Sequence, residues 1–201
     1  MNLPPINQFL YLIPAAFLAP IIHEWVRARV SAALGDTMPF NRGFITWNPL
    51  KFFEPIGFVL TMAFHIGWAR PATTSNMYYK DRRAGTIITC VAPVVVNLLL
   101  GMVAAFAINF IPLTQVGFHA SMFLARFAQV SISIAIVNLI IPVYPFGANA
   151  LLKMFVSPEV VARMNHYEKP MQILMMIMIA IQIIPGIVNP IRGIILGLVM
   201  M

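Results

Sequence analysis

The sequence predicts an all-α fold, a polytopic integral membrane protein forming a single membrane domain over residues 1–201, with about four to six transmembrane or partly inserted segments. Two observations lead there. Hydrophobic residues make up 60% of the chain and charged residues only 9%, whereas an ordinary soluble domain carries about 25% charged residues. Runs rich in Leu, Ile, Val and Met also recur at bilayer-spanning length, and a helix satisfies its own backbone where no water can.

The first expected span, residues 8–28, follows Pro4-Pro5, contains Pro14 and Pro20, and ends in His23, Glu24, Arg27 and Arg29. Residues 31–49 are polar and rich in Gly, Pro, Asn and Thr, which reads as an interfacial loop or hairpin. The apolar run 52–68 is short for a span and precedes Arg70-Pro71, so it is expected to be broken or tilted. The span 85–111 carries Pro93 and Asn97, and the span 122–141 ends at Pro142, Tyr144, Pro145 and Gly147. After a polar stretch from Lys153 to Lys169, the block 171–199 is interrupted at 185–190 by Pro185-Gly186 and Asn189-Pro190. It reads either as one broken span or as a span plus a short interfacial helix.

The net charge of +7 does not point to nucleic acid, because Lys and Arg fall mostly between the apolar runs. Topology signalling and contact with anionic headgroups explain them better. If the basic clusters share the cytoplasmic side, the first helix ends inside with the N-terminus outside, and segment 52–68 either dips in and returns or is paired with a partly inserted loop. The one cysteine, Cys90, excludes a disulfide scaffold. The N-terminus lacks a basic leader and a small-residue cleavage site, so it reads as a retained helix.

His23-Glu24 is the most informative pair, since ionisable residues in an apolar helix are costly there. In HExxH, two histidines one helical turn apart hold zinc and the glutamate activates water. Here the second position is Arg27, which is permanently protonated and has no lone pair for a metal. The structural alternative is that Glu24 pairs with Arg27 or Arg29 while His23 makes a helix-end hydrogen bond. The Met171, Met175, Met176 and Met178 run reads as packing or lipid-facing surface, Asn97, Asn138 and Asn149 as hydrogen-bonding groups between helices, and Arg126 as a snorkelling side chain.

Five elements in order resemble the site-2 proteases, intramembrane zinc metalloproteases, especially the compact bacterial members. His23-Glu24, Ala28 and Gly35-Asp36 resemble that family's active-site helix and the turn after it. Thr46, Asn48-Pro49-Leu50 and Glu54-Pro55-x-Gly57 resemble its Thr-x-Asn-Pro-Leu and Asp-Pro-x-Gly stretch, and Gly67-Trp68-Ala69-Arg70-Pro71 its Gly-Trp-Ala-Lys-Pro element. Ala92-Pro93 with Asn97 is similar to Ala-Gly-Pro-x-x-Asn, without the glycine and with the asparagine one residue late. Asn138-Leu139 and Pro142-Val143-Tyr144-Pro145 resemble Asn-Leu-x-Pro-x-Pro-Pro-Leu-Asp-Gly. The resemblance implies a multi-pass place in a bacterial cell membrane and structural roles for Gly35, Asp36, Asn48, Pro49, Glu54, Pro93, Asn97, Asn138, Pro142 and Pro145.

The departures fall on the metal site. Of the ligand positions the resemblance implies, His23 survives, Arg27 stands for the second histidine and Gly147 for the aspartate. The family's His-Ile-Asp positions read Phe52-Phe53-Glu54, and its Gly-Arg pair reads Gly43-Phe44. A catalytic zinc normally takes three protein ligands and an open position, so no cofactor and no working catalytic residue is expected. His65 is the best rescue ligand, ahead of His119, His166 and Asn149. The leading expectation is a pseudoprotease that binds a transmembrane segment of another protein or serves as a regulatory or structural subunit, with membrane lipids around it. The alternative is an active intramembrane zinc metalloprotease with an altered metal shell. A third is a small channel or transporter built on helices broken at Pro20, Pro93 and Pro145.

Overall fold

A computed structural model of the protein describes residues 6–112 and 114–199. Pro4-Pro5 and Met201 therefore lie outside the described residues. Every regular element among those described is helical: α1 Ile6–Ala33, α2 Met38–Asn41, α3 Pro55–Phe64, α4 Arg82–Ala107, α5 Gln115–Ile140, α6 Gly147–Lys153, α7 Pro158–His166, α8 Glu168–Ala180 and α9 Ile183–Val199. Three stretches, Phe9–Ala33, Arg82–Phe110 and Gln115–Ile140, are long and apolar enough to cross a membrane. The chain is thus an all-α, polytopic membrane protein.

The long helices form the scaffold. α4 and α5 run antiparallel, joined by a short connection, and their small residues let the backbones approach. Gly101 of α4 packs so closely that a Cβ there would lie 2.7 Å from Ile132 of α5. α1 lies parallel to α5, with Leu12, Ala15 and Ala19 against Val130 and Ile134. It is held to α4 by Asn97, whose Nδ2 donates to the Ala19 carbonyl at 3.0 Å. The C-terminal ends of α1 and α5 and the N-terminal end of α4 consequently share one end of the bundle. All Lys and Arg except Arg126 and Arg192 gather toward that end, while the connection between α4 and α5 at the other end carries no charged residue.

Several boundaries differ from the sequence expectation. α1 continues to Ala33, past the expected end at residue 28, and α5 begins at Gln115 rather than 122. Segment 52–68 is short and broken, as expected: its helix α3 has 10 residues, about 15 Å of axial length. It ends at His65 in the left-handed region, at φ 59°, and the chain returns without regular structure. Helix and returning chain meet backbone to backbone, since a Cβ on Gly57 would lie 2.0 Å from the Trp68 carbonyl and one on Gly67 2.1 Å from the Gly57 carbonyl.

The final block also breaks elsewhere than 185–190. α8 and α9 meet at 64° around Ile181-Gln182, with Gln182 at φ 67°. Pro185 falls in the first turn of α9, where the missing N–H has no intrahelical acceptor to lose. Together α8 and α9 are long and apolar enough for a fourth, bent crossing. Met175, Ile179, Ile184 and Val188 join Ile132, Val137, Ile66 and Trp68 in one apolar core. Met175 therefore belongs to the interior.

The turn after α1 is fixed by Gly35, at φ 102°, and by Asp36. The Asp36 carboxylate accepts from Ser31 Oγ at 2.7 Å, Ser75 N at 2.6 Å and Met38 N at 2.9 Å. Ser31 also meets the Tyr79 hydroxyl at 2.7 Å, and Tyr79 meets Thr89 Oγ1 at 3.0 Å. Burial pushes the Tyr79 hydroxyl up, so it stays protonated within this chain of bonds. Asn48 accepts from Leu50 N, with Pro49 opening a short 3-10 turn, while Pro93 lies inside α4.

The glycine contacts make a sharp test. Gly57→Ala is expected to cost about 3 kcal/mol, because backbone must move. Gly193→Ala, with nothing within 4 Å of its Cβ position, should leave stability unchanged or raise it by about 1 kcal/mol through helix propensity. Unfolding of the purified protein in detergent checks both, and equal effects would contradict the packing described.

Candidate functional site

His23, Glu24 and Arg27 lie on one side of α1 in the interior of the bundle, with exposures of 1%, 4% and 7%. The α5 end and the loop entering α6 close over them. Glu24 Oε1 lies 3.3 Å from Arg27 Nη1, and its Oε2 accepts from Ala72 N at 2.9 Å. Of the two cations available in sequence, Arg27 takes the carboxylate. Arg29 instead packs over the rings of Trp25 and Trp47 at 4.8 and 4.9 Å.

Arg27 reaches further into the centre. Its Nη1 and Nη2 donate, at a long 3.5 Å each, to the Pro145 carbonyl and to Asn138 Oδ1. Asn138 Oδ1 also accepts from Gly147 N at 3.1 Å, and its Nδ2 donates to the Ile134 carbonyl at 2.9 Å. One asparagine thus ties the end of α5, the start of α6 and the guanidinium together. A Cβ on Gly147 would lie 3.2 Å from Arg27 Nη2 and 3.6 Å from the Cys90 Cβ. The guanidinium therefore stands against the position where an acidic side chain would begin.

The ring of His23 sits beside Asn138, but neither of its nitrogens makes a hydrogen bond of normal geometry. The space between His23, Glu24, Trp68 and Asn138 is too narrow for a water-sized sphere. His65 is not part of this centre. It caps α3 and lies beside Arg126 and Arg192, an unfavourable place for a metal cation. Arg192 donates to Ser133 Oγ at 3.0 Å and Arg126 to Gln129 Oε1 at 3.0 Å. His119 is paired with Tyr11 near the opposite end of the bundle.

These residues do not fit a zinc ion. Among the described residues no three His, Cys, Asp or Glu side chains come together, and a fixed cation, Arg27, occupies the middle of the candidate donor set. One imidazole with a guanidinium beside it falls short of the three donors a catalytic zinc takes. Elsewhere, Pro145 is buried beside Arg27 and Pro142 is exposed, while Glu54 precedes α3 without a capping bond. The contact of Ala72 N with Glu24 had no signal in a side-chain motif. The neighbouring Pro71 favours extended backbone in the residue before it, and the chain there carries no regular structure.

Fold and centre together define a polytopic α-helical membrane protein with a closed, ion-paired polar core. Among known proteins, the chain is 26% identical over 170 residues, 82% of its length, to a Bacillus subtilis (strain 168) protein named "Putative zinc metalloprotease YwhC", covering 77% of that relative. No family model and no solved structure matches the chain.

The pair makes a thermodynamic cycle. Arg27→Met leaves a buried carboxylate without its cation and is expected to cost about 3–5 kcal/mol. Glu24→Gln combined with Arg27→Met should recover most of that loss, since both charges are then gone. Unfolding measurements on the two single variants and the double variant in detergent read the coupling. Additive effects would mean that the two side chains do not act as a pair.

Proposed function

We propose that the protein is a site-2-protease-like membrane protein in which an ion pair has replaced the metal centre. It acts without peptide-bond hydrolysis, as a membrane subunit that binds a transmembrane segment of a partner or supports a membrane complex. The observation that carries this reading is Arg27, whose guanidinium pairs with Glu24 and abuts the position a Gly147 side chain would take. Similarity to a protein named as a zinc metalloprotease supports the relationship. The donor set supports the loss of its chemistry.

In this reading Glu24 is a structural anion. Its two oxygens are engaged by Arg27 and by Ala72 N, and the space beside it is too narrow for a water-sized sphere, which leaves no place for a water to be held and activated. An open cleft of about 780 Å3 lies next to the closed centre, with Arg82, Thr86, Thr89, Cys90 and Lys153 among its lining residues. That cleft and the exposed flanks of α4, α8 and α9 offer a partner more surface than the filled centre does.

Elemental analysis of detergent-purified protein, after removal of any affinity tag, separates this reading from an active enzyme with an altered metal shell. Less than about a tenth of a zinc per chain is expected, with no change on His23→Ala. About one zinc per chain, lost in His23→Ala and accompanied by chelator-sensitive peptide cleavage, would overturn the proposal.

A further inference from the structure

The chain between α1 and α3 is ordered into a two-faced platform. On its inner face Phe44 and Phe52 pack against Ile21, Ala28, Ala69 and Ala72. On its outer face Phe40, Trp47 and Leu50 are 73%, 79% and 66% exposed. The platform is braced from α1: Arg29 lies over both the Trp25 and the Trp47 ring, whose centroids are 5.1 Å apart, and Trp25 Nε1 donates to the Thr46 carbonyl. Gly43, at φ 71°, makes the turn, and Lys51 extends across the Phe44 ring.

Its charge is one-sided. Residues 37–53 contain Arg42 and Lys51 and no acid, and the acid that follows them, Glu54, is half-buried at the start of α3. The nearest acid before them, Asp36, is buried and spent on three hydrogen bonds within the fold. Exposed aromatic and aliphatic groups with cations alongside would be poorly placed in water, yet suit the boundary between acyl chains and phosphates. The platform also sits at the end of the bundle where the basic residues gather, the end that faces the anionic cytoplasmic leaflet under the positive-inside rule.

We propose that this platform is a binding surface for anionic phospholipid headgroups. Phe40, Trp47 and Leu50 enter the acyl boundary, while Arg42 and Lys51 hold lipid phosphates. The surface then fixes the depth and roll of α1 in the leaflet, independently of whether the protein has any catalytic activity.

Trp47 supplies the readout. The full-length protein is placed in nanodiscs of mixed phosphatidylcholine and phosphatidylglycerol, with one lipid or the other brominated at equal mole fraction. The fluorescence quenching lost in Trp47→Phe is assigned to that ring. Brominated phosphatidylglycerol is expected to quench it at least about twofold more strongly than brominated phosphatidylcholine. The preference should vanish in the Arg42→Gln, Lys51→Gln double variant and survive added inorganic phosphate. Equal quenching by the two lipids would overturn the anionic preference. Absence of quenching by either would overturn membrane contact and leave the platform facing water or a protein. Both substitutions are at exposed positions, and the wild-type comparison of the two lipids decides the question without them.

Discussion

A carboxylate and a guanidinium, Glu24 and Arg27, share one turn of α1 in a part of the bundle from which water is excluded. Neither charge is tolerable there alone, and even a well-made buried pair contributes little net stability compared with an apolar core. What the pair contributes is placement. Glu24 draws in Ala72 N and with it the chain returning from α3. Arg27 draws in Asn138 and the Pro145 carbonyl, and with them the junction of α5 and α6. Two segments distant in sequence are thereby indexed to a single turn of one helix.

The same interaction limits chemistry. The absence of a side chain at Gly147 gives the guanidinium room, because a Cβ there would lie 3.2 Å from Arg27 Nη2 and press it back by a few tenths of an ångström. Arg27 and Gly147 are best understood together, one supplying a fixed positive charge and the other the space for it. A metal ion would bring a positive charge that opens a coordination site to water. The guanidinium balances Glu24 and opens nothing. This arrangement is the basis of the proposed binding or scaffolding role.

The long helices were legible because apolar length alone marks them, and Asp36 and Asn48 were marked as structural residues by the family resemblance of their motifs. That segment 52–68 is broken and returns was suggested by its short apolar length and the flanking basic clusters, but the packing that holds the return was not legible. That packing depends on Gly57 meeting the backbone of Trp68 and Gly67 that of Gly57, contacts with no periodic signature. The bend at Ile181-Gln182 was misplaced at Pro185 because proline breaks a helix interior but not a first turn. At the site, the residue types at 23, 24, 27 and 147 could be read directly, and so could their shortage of metal donors. The engagement of Arg27 by Asn138, and of Glu24 by the backbone of Ala72, required the fold.

The most direct test is zinc binding by the double variant Arg27→His, Gly147→Asp, measured beside each single variant and the wild type. Removing the guanidinium and adding two donors around His23 should give about one zinc per chain in the double variant alone. The single Arg27→His still lacks the carboxylate, and the single Gly147→Asp places its carboxylate against Arg27. Zinc bound equally by the wild type would contradict the account, because the arginine would not then be standing in place of the metal. A folded double variant that binds none would contradict it as well, because the three positions would not converge on a common centre.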